Sequence, residues 1–266
     1  MISFFKMQGT GNDFIIVNTI TEKFRFSYWN LAKFLCNRKF GVGADGVIFL
    51  EKGEKAEYKM RIFNQDGSEA GMCGNGIRCL AKYLYEKNLC SQTKFVIETL
   101  SGNKEVELIV ENKTVIGVKV DMGEASLGES LQINIDGKIF NGYKVDVGNP
   151  HFVCFMNELS IQELEKYGSI IENYKYFPEK TNVEFVKVLN LSRIEMLVWE
   201  RGVGRTSSCG TGACASAVAS CEFKSTNTEL IVDLEGGKLR TIYNKENKKI
   251  NLIGNCEFVY EGKINL

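Results

Sequence analysis

Cys73-Gly74-Asn75-Gly76 and Cys209-Gly210-Thr211-Gly212 are near copies of one tetrapeptide, about half the chain apart in a sequence of 266 residues. Each opens a stretch that reads as a helix. After the first copy, Ile77, Leu80, Ala81, Leu84 and Tyr85 fall at helical spacing and form one apolar face. After the second come small residues, Ala213-Cys214-Ala215-Ser216-Ala217. A cysteine followed by glycine at a helix start is chemically distinctive, because unpaired backbone N–H groups and the positive end of the helix dipole favour a thiolate. Two such thiols, one per half of the molecule and facing one cleft, are equipped to move protons.

The duplication extends outward. Phe95-Val96-Ile97-Glu98-Thr99-Leu100-Ser101-Gly102 begins 22 residues after Cys73, and Leu230-Ile231-Val232-Asp233-Leu234-Glu235-Gly236-Gly237 begins 21 after Cys209. Upstream, Asn64 and Glu200 each lie nine residues before their cysteine. Strand-like runs at 14–18, 46–50, 58–63, 95–100, 105–110 and 115–120 accompany helical patterns near 28–37 and 75–87. The second half repeats the programme: strand runs at 131–135, 143–147, 151–156, 183–189 and 193–199, and the cysteine-led helix over 212–222 with three more strand runs after it. A further helix begins at Ser160, with Glu163 as its capping-box partner. The pattern predicts an α+β fold of two pseudo-symmetric strand-rich lobes, each wrapping a central helix. Their boundary is expected near Asp121-Met122-Gly123-Glu124.

Composition narrows the function. Lys and Arg total 33 and so do Asp and Glu, so no net charge draws the chain to nucleic acid or anionic membrane. No apolar run approaches the roughly 20 residues that span a bilayer, and Met1-Ile2-Ser3-Phe4-Phe5-Lys6 lacks the layout of a secretory signal. The expected setting is the cytoplasm. Nine cysteines, an odd number without scaffold-like spacing, are expected to be mostly thiols rather than disulfides. The one histidine, His151, excludes multi-histidine metal sites and leaves little room for a serine-protease triad.

Several motifs have plainer readings. Gly41-Val42-Gly43-Ala44-Asp45-Gly46 has dinucleotide-like glycines, but it precedes the strand Val47-Ile48-Phe49-Leu50 instead of following one, and so reads as a tight loop. The pairs Cys73/Cys79 and Cys209/Cys214 miss the spacing of structural zinc sites, and Cys79 is expected to face the core. Ser207-Ser208 reads as a helix-capping pair. Gly148-Asn149-Pro150-His151 is a turn by composition, and Trp199-Glu200-Arg201-Gly202 reads either as a surface ion pair or as part of the site of the second thiol.

Taken together, these residues resemble the diaminopimelate epimerase family. Phe5-Lys6-Met7-Gln8-Gly9-Thr10-Gly11-Asn12-Asp13-Phe14, Gly43-Ala44-Asp45-Gly46 and Arg61-Ile62-Phe63-Asn64-Gln65-Asp66-Gly67-Ser68-Glu69 carry the likeness in the first half, with Cys73. Gly148-Asn149-Pro150-His151, Asn182-Val183-Glu184-Phe185-Val186, Glu200-Arg201-Gly202 and Cys209-Gly210-Thr211-Gly212-Ala213-Cys214-Ala215 carry it in the second, in the family's order. The resemblance implies a pyridoxal-independent isomerase, working without any cofactor or metal as a homodimer. Its small-molecule substrate is LL-2,6-diaminopimelate, converted to the meso form for lysine and peptidoglycan precursors. It also implies an N-terminal lobe of residues 1–121, completed by a returning strand at about 258–266, and a C-terminal lobe of 122–257, with the active site in the cleft between them.

Inverting a stereocentre requires taking a proton from one face and returning one to the other. An unperturbed thiol, with a pKa near ~8.5, needs only modest stabilisation to act as the base. By the resemblance, Cys73 and Cys209 are the catalytic pair, donor and acceptor in one direction; the sequence itself assigns no direction. Backbone N–H groups of Gly74, Asn75, Gly210 and Thr211 are placed to receive the developing charge. The resemblance gives Asn64, Asn149, Asn182 and Arg201 the distal carboxylate and ammonium, and Glu200 and Asn12 the orientation of charged groups. His151, with Glu200, is expected to tune the thiols.

Two departures bear on substrate choice. Gln8 stands where many relatives carry histidine, and Arg205 reverses a charge four residues before Cys209. Two other readings stay open on the residues alone: a related cofactor-independent racemase of another amino acid, lanthionine-like or monocarboxylic, and a non-enzymatic metal or redox-sensing protein.

Overall fold

The structure, a computed structural model, describes residues 1–22 and 25–265. The chain divides into two compact units, Met1–Val120 with Gly254–Leu266, and Asp121–Ile253. Of the expected returning segment, Leu266 lies outside the described residues.

Unit 1 runs β1 (Ile2–Gly9), β2 (Asn12–Asn18), α1 (Tyr28–Cys36), β3 (Gly46–Lys52), β4 (Tyr58–Asn64), β5 (Glu69–Ala70), α2 (Gly74–Glu86), β6 (Lys94–Thr99), β7 (Gly102–Glu111) and β8 (Thr114–Glu124), whose last residues enter the second unit. Unit 2 adds β9 (Ser126–Ile135) and then repeats the order: β10 (Lys138–Asp146), β11 (Pro150–Phe155), α3 (Ile161–Glu172), β12 (Asn182–Asn190), β13 (Arg193–Glu200), β14 (Gly204–Thr206), α4 (Gly210–Phe223), β15 (Glu229–Leu234), β16 (Gly237–Tyr243) and β17 (Lys249–Gly254). The last strand, β18 (Glu257–Ile264), belongs to unit 1.

Strand pairing repeats as well. β2 and β3 are parallel across the α1 crossover, as β11 and β12 are across α3. β4 and β6 are parallel around α2, as β13 and β15 are around α4. The remaining consecutive partners in each unit are antiparallel, β3 with β4 and β12 with β13 among them. On the outer side of the first repeat strand, β18 pairs with β1, and β9 pairs with β10. A long-range strand in unit 1 thus fills the place that a sequence-adjacent strand fills in unit 2.

Each sheet is covered by helices on both faces, which explains why Phe14-Ile15-Ile16-Val17 and Val183-Glu184-Phe185-Val186 are buried without alternation. In unit 1, Leu31, Ala32 and Leu35 of α1 pack on Ile15, Val17, Val47 and Phe49. In unit 2, Leu164, Tyr167 and Ile171 of α3 pack on Phe152, Val183 and Phe185. The other two helices are central. α2 is buried from Gly74 to Leu84 and so is not merely one-faced, as its periodicity suggests. Its polar side places Arg78 on Gly74 O (2.9 Å) and Thr10 Oγ1 (2.7 Å), and Lys82 on Val115 O (2.8 Å), so the buried cations are hydrogen-bonded. α4 is almost wholly Gly, Ala, Ser, Cys and Val, and is buried on every side.

The structure corrects two capping expectations. Ser160 caps α3 by accepting the Glu163 N–H at 3.3 Å, but the Glu163 carboxylate turns to Lys138, so the reciprocal half of the capping box is not made. At α4 the cap is Cys209 itself and not Ser207-Ser208: Sγ of Cys209 takes the Gly212 N–H. After α4, β15, β16 and β17 complete unit 2 before β18. The glycine-rich loop at 41–46 closes the end of α1: the N–H groups of Val42 and Gly43 return to Leu35 O, and Gly43 sits at φ +83°.

Candidate active site

In unit 1, Cys73 is extended (φ −136°, ψ 119°) and caps α2, its Sγ accepting the Gly76 N–H at 3.5 Å. The thiol is half-buried. Beside it, the buried Asn75 donates to Asn12 Oδ1 at 2.5 Å, and Asn12 donates in turn to Asp45 Oδ2 at 3.2 Å. Asn12, Gly74, Asn75 and Cys73 therefore lie together. Asn64 ends β4, exposed, and donates to Ser68 Oγ at 3.0 Å.

A charged cluster anchors the Asn12 turn. Arg38 clasps Asp13 through two bonds of 3.0 and 2.8 Å and reaches Asp45 at 2.8 Å, while Lys6 pairs with Asp13 at 2.6 Å. Burial pushes the Asp13 carboxyl up, but the Arg38 and Lys6 bonds outweigh it and bring the pKa down to about 2.

In unit 2, Cys209 repeats the Cys73 geometry at the head of α4 (φ −129°, ψ 116°), its Sγ accepting the Gly212 N–H at 3.3 Å and lying 3.4 Å from Thr211 Oγ1. Asn149 Nδ2 is 3.4 Å from the same Thr211 oxygen. Asn149 Oδ1 is 3.1 Å from His151 Nε2, and His151 Nδ1 is 2.6 Å from Glu184 Oε1. Neither His151 nor Glu184 exposes its side chain. Glu200, at the end of β13, accepts a short hydrogen bond from Thr206.

Asn182 braces this half-site: its amide donates to Pro150 O (2.8 Å) and accepts the Arg201 N–H (3.0 Å). The exposed Arg201 guanidinium reaches Glu179 O at 3.2 Å. The turn around it is held by Glu172, which takes Trp199 Nε1–H (2.8 Å) and Gly202 N–H (2.9 Å).

The thiol chemistry differs from what a helix start alone suggests. Burial, then the charges of Glu200 and Glu184, push Cys209 well above the usual thiol range, against the lowering effect of Thr211 and the Gly212 N–H. The protonated form of Cys209 is thereby favoured. Glu200 is itself raised, by burial first and by Glu184, against hydrogen bonds from Thr206 and Cys209. Arg205 faces away from this balance: it pairs with Glu235 at 2.8 Å and Glu165 at 3.3 Å, so the charge reversal is neutralised beside β14.

Glu184 is the member of this cluster that the sequence reading passes over. Its signal is a single charge inside the otherwise apolar Val183-Glu184-Phe185-Val186, buried on the face that meets α4. Among the described residues, no group of three or more His, Cys, Asp or Glu is arranged to hold a metal ion, and no helix is long and apolar enough to cross a membrane.

The family model for diaminopimelate epimerase matches residues 4–128 and 143–259. The chain is 41% identical to the diaminopimelate epimerase of Moorella thermoacetica, over 97% of this chain and 98% of that protein. It is 40% identical to that of Agathobacter rectalis over the whole of both. In fold it is similar to a phenazine biosynthesis protein of the PhzF family from Bacillus anthracis, with a TM-score of 0.78 and 16% identity over 100% of this chain and 99% of the other. On the strength of these matches across both repeats, the chain belongs to the diaminopimelate epimerase family.

Proposed function

We propose that this chain converts LL-2,6-diaminopimelate to the meso form with two thiols and no cofactor, one taking the α-proton and the other supplying a different proton to the opposite face. The observation that carries the reading is the N-cap built twice. Cys73 and Cys209 have the same backbone conformation, and each Sγ accepts the third N–H of a central helix. A thiol held at a helix start is stabilised as it loses a proton, and the neighbouring N–H groups favour an anion there.

The chemistry follows from the α-carbon's weak acidity. One thiolate takes the proton, charge spreads into the adjacent carboxylate, and the N–H groups of Gly74, Asn75, Gly210 and Thr211 stabilise it. The other thiol returns a proton to the opposite face. For the first isomer bound one cysteine is the base and the other the acid, and the roles exchange for the other isomer. Arg201 suits a carboxylate, Glu200 an ammonium, and Asn12, Asn64, Asn149 and Asn182 the orientation of both ends.

Incubation with LL-diaminopimelate in deuterated water tests the reading. Deuterium is expected at the α-carbon with formation of the meso isomer, and both Cys73→Ala and Cys209→Ala are expected to abolish epimerisation. Turnover by either variant overturns the two-thiol reading. We further propose, from the family likeness, that the enzyme is a cytoplasmic homodimer, which sedimentation at micromolar concentration tests.

A further inference from the structure

We propose that Glu184 is a positioning residue of the Cys209 half-site: it fixes His151 through Nδ1 and thereby sets the Asn149 and Thr211 side chains that contact the thiol. The inference rests on the reading of Cys209 as one of the two proton-transferring thiols.

The connection is continuous and lies within one unit. Glu184 Oε1 stands 2.6 Å from His151 Nδ1, and Nε2 on the other side of the ring is 3.1 Å from the Asn149 side-chain amide. That amide is 3.4 Å from Thr211 Oγ1, which is 3.4 Å from Cys209 Sγ. β11 and β12 are parallel neighbours with His151 opposite Asn182, so the strand pairing brings Glu184 alongside the ring. A carboxylate accepts and does not donate, so Glu184 holds the proton on Nδ1. The ring's rotation is then determined: Nε2 meets Asn149 Oδ1 as a donor when the ring carries both protons, and the neutral ring takes the amide's N–H instead.

Burial makes the arrangement costly unless it is used. The Glu184 side chain is wholly inaccessible, and its Oε2 has no hydrogen-bond partner among the described residues. A neutral core residue in this strand avoids that penalty. The titratable groups facing Glu184 and His151 are Glu200 from β13 and Cys209 at the head of α4. Glu184 therefore acts on the thiol in two ways, through the ring and through its own negative charge, which favours the protonated thiol.

His151 is the chain's one histidine, so ¹⁵N NMR of the imidazole reports on this ring alone. In the unmodified protein without substrate we expect a slowly exchanging proton on Nδ1. In Glu184→Gln that signal is expected to change or vanish while circular dichroism and melting show a folded protein. The kcat for epimerisation is expected to fall on the order of 10²-fold, with KM within about threefold and the acidic limb of the pH profile displaced. Glu184→Asp, which keeps the charge, is expected to keep the Nδ1 proton and recover part of kcat.

A ring protonated only on Nε2 in the unmodified protein overturns the proposal, and this holds even if Glu184→Gln does not fold. An altered ring signal with unchanged kcat overturns it as well. If the ring behaves as expected but the unmodified chain exchanges no α-proton of diaminopimelate, the substrate reading fails and the positioning role stands.

Discussion

A β-carbon placed on Gly212 would stand 2.8 Å from Glu184 Oε1 and 3.4 Å from Cys209 Sγ. The equivalent atom on Gly76 would meet Ile48 Cδ1 at 3.0 Å and Ile62 Cδ1 at 3.2 Å. The two helix starts are thus alike in backbone and unlike in what presses on them.

Gly212→Ala and Gly76→Ala should therefore diverge. Alanine gains about 1 kcal/mol of helix propensity at either position. At Gly76 that gain offsets the shift of two isoleucine methyl ends, and stability is expected to stay within about 1 kcal/mol of the parent. At Gly212 the obstacle is a carboxylate pinned by His151, so the head of α4 must move. We predict a fall in kcat of at least about tenfold for Gly212→Ala, and a smaller one for Gly76→Ala, measured alongside melting curves.

Acid should weaken the Asp13 cluster over a defined range. Its folded pKa of about 2 lies below the unfolded value of ~3.9, so the carboxylate contributes stability above about pH 4 and loses it as the pH falls towards 2. The contribution is about 2 kcal/mol. Asp13→Asn should lower the urea unfolding free energy at pH 7 by about that amount. At pH 2 the difference between variant and parent should largely close; an equal difference at both pH values contradicts the assignment.

The Cys209 thiol should become more acidic when a neighbouring negative charge is removed. Burial and the charges of Glu200 and Glu184 all favour its protonated form. In Glu200→Gln, iodoacetamide should label Cys209 several-fold faster than in the parent at one fixed pH near 8, as read by peptide mass spectrometry. A slower or unchanged rate contradicts the electrostatic account.

Glu172 should matter for the Arg201 turn. It accepts from both Trp199 Nε1 and Gly202 N, and an amide at this position faces one of those donors with a donor of its own. Glu172→Gln is predicted to cost about 1–3 kcal/mol in urea unfolding. Because Arg201 sits between the two clasped residues, KM for diaminopimelate should rise more than kcat falls.

The repeated Cys-Gly motif made both central helices and both thiols legible, since helix starts are local and their chemistry depends on neighbours in sequence. Strands with continuous apolar runs, such as β3 and β12, were legible for the same reason. β1 shows no strand pattern in the sequence, because its buried Lys6 breaks the apolar run and is accommodated by Asp13 on the next strand and by the Gly43 carbonyl. The polar, exposed first half of β9 and the two- and three-residue β5 and β14 carry no periodicity to find. At the site, the groups that raise the Cys209 pKa are invisible in the helix start alone, because the carboxylates come from β12 and β13, 25 and 9 residues upstream. The ring partner of His151 was missed because it is 33 residues away and meets the ring only through parallel pairing.

The outer neighbour of β1 is made about 250 residues after it, whereas everything in the second unit is contiguous. As the polypeptide leaves the ribosome, the second unit has its whole complement of strands while the first still shows a bare, hydrogen-bonding edge along Ile2–Gly9. The order of completion is thereby the reverse of the order of synthesis: the half that is begun first is closed last.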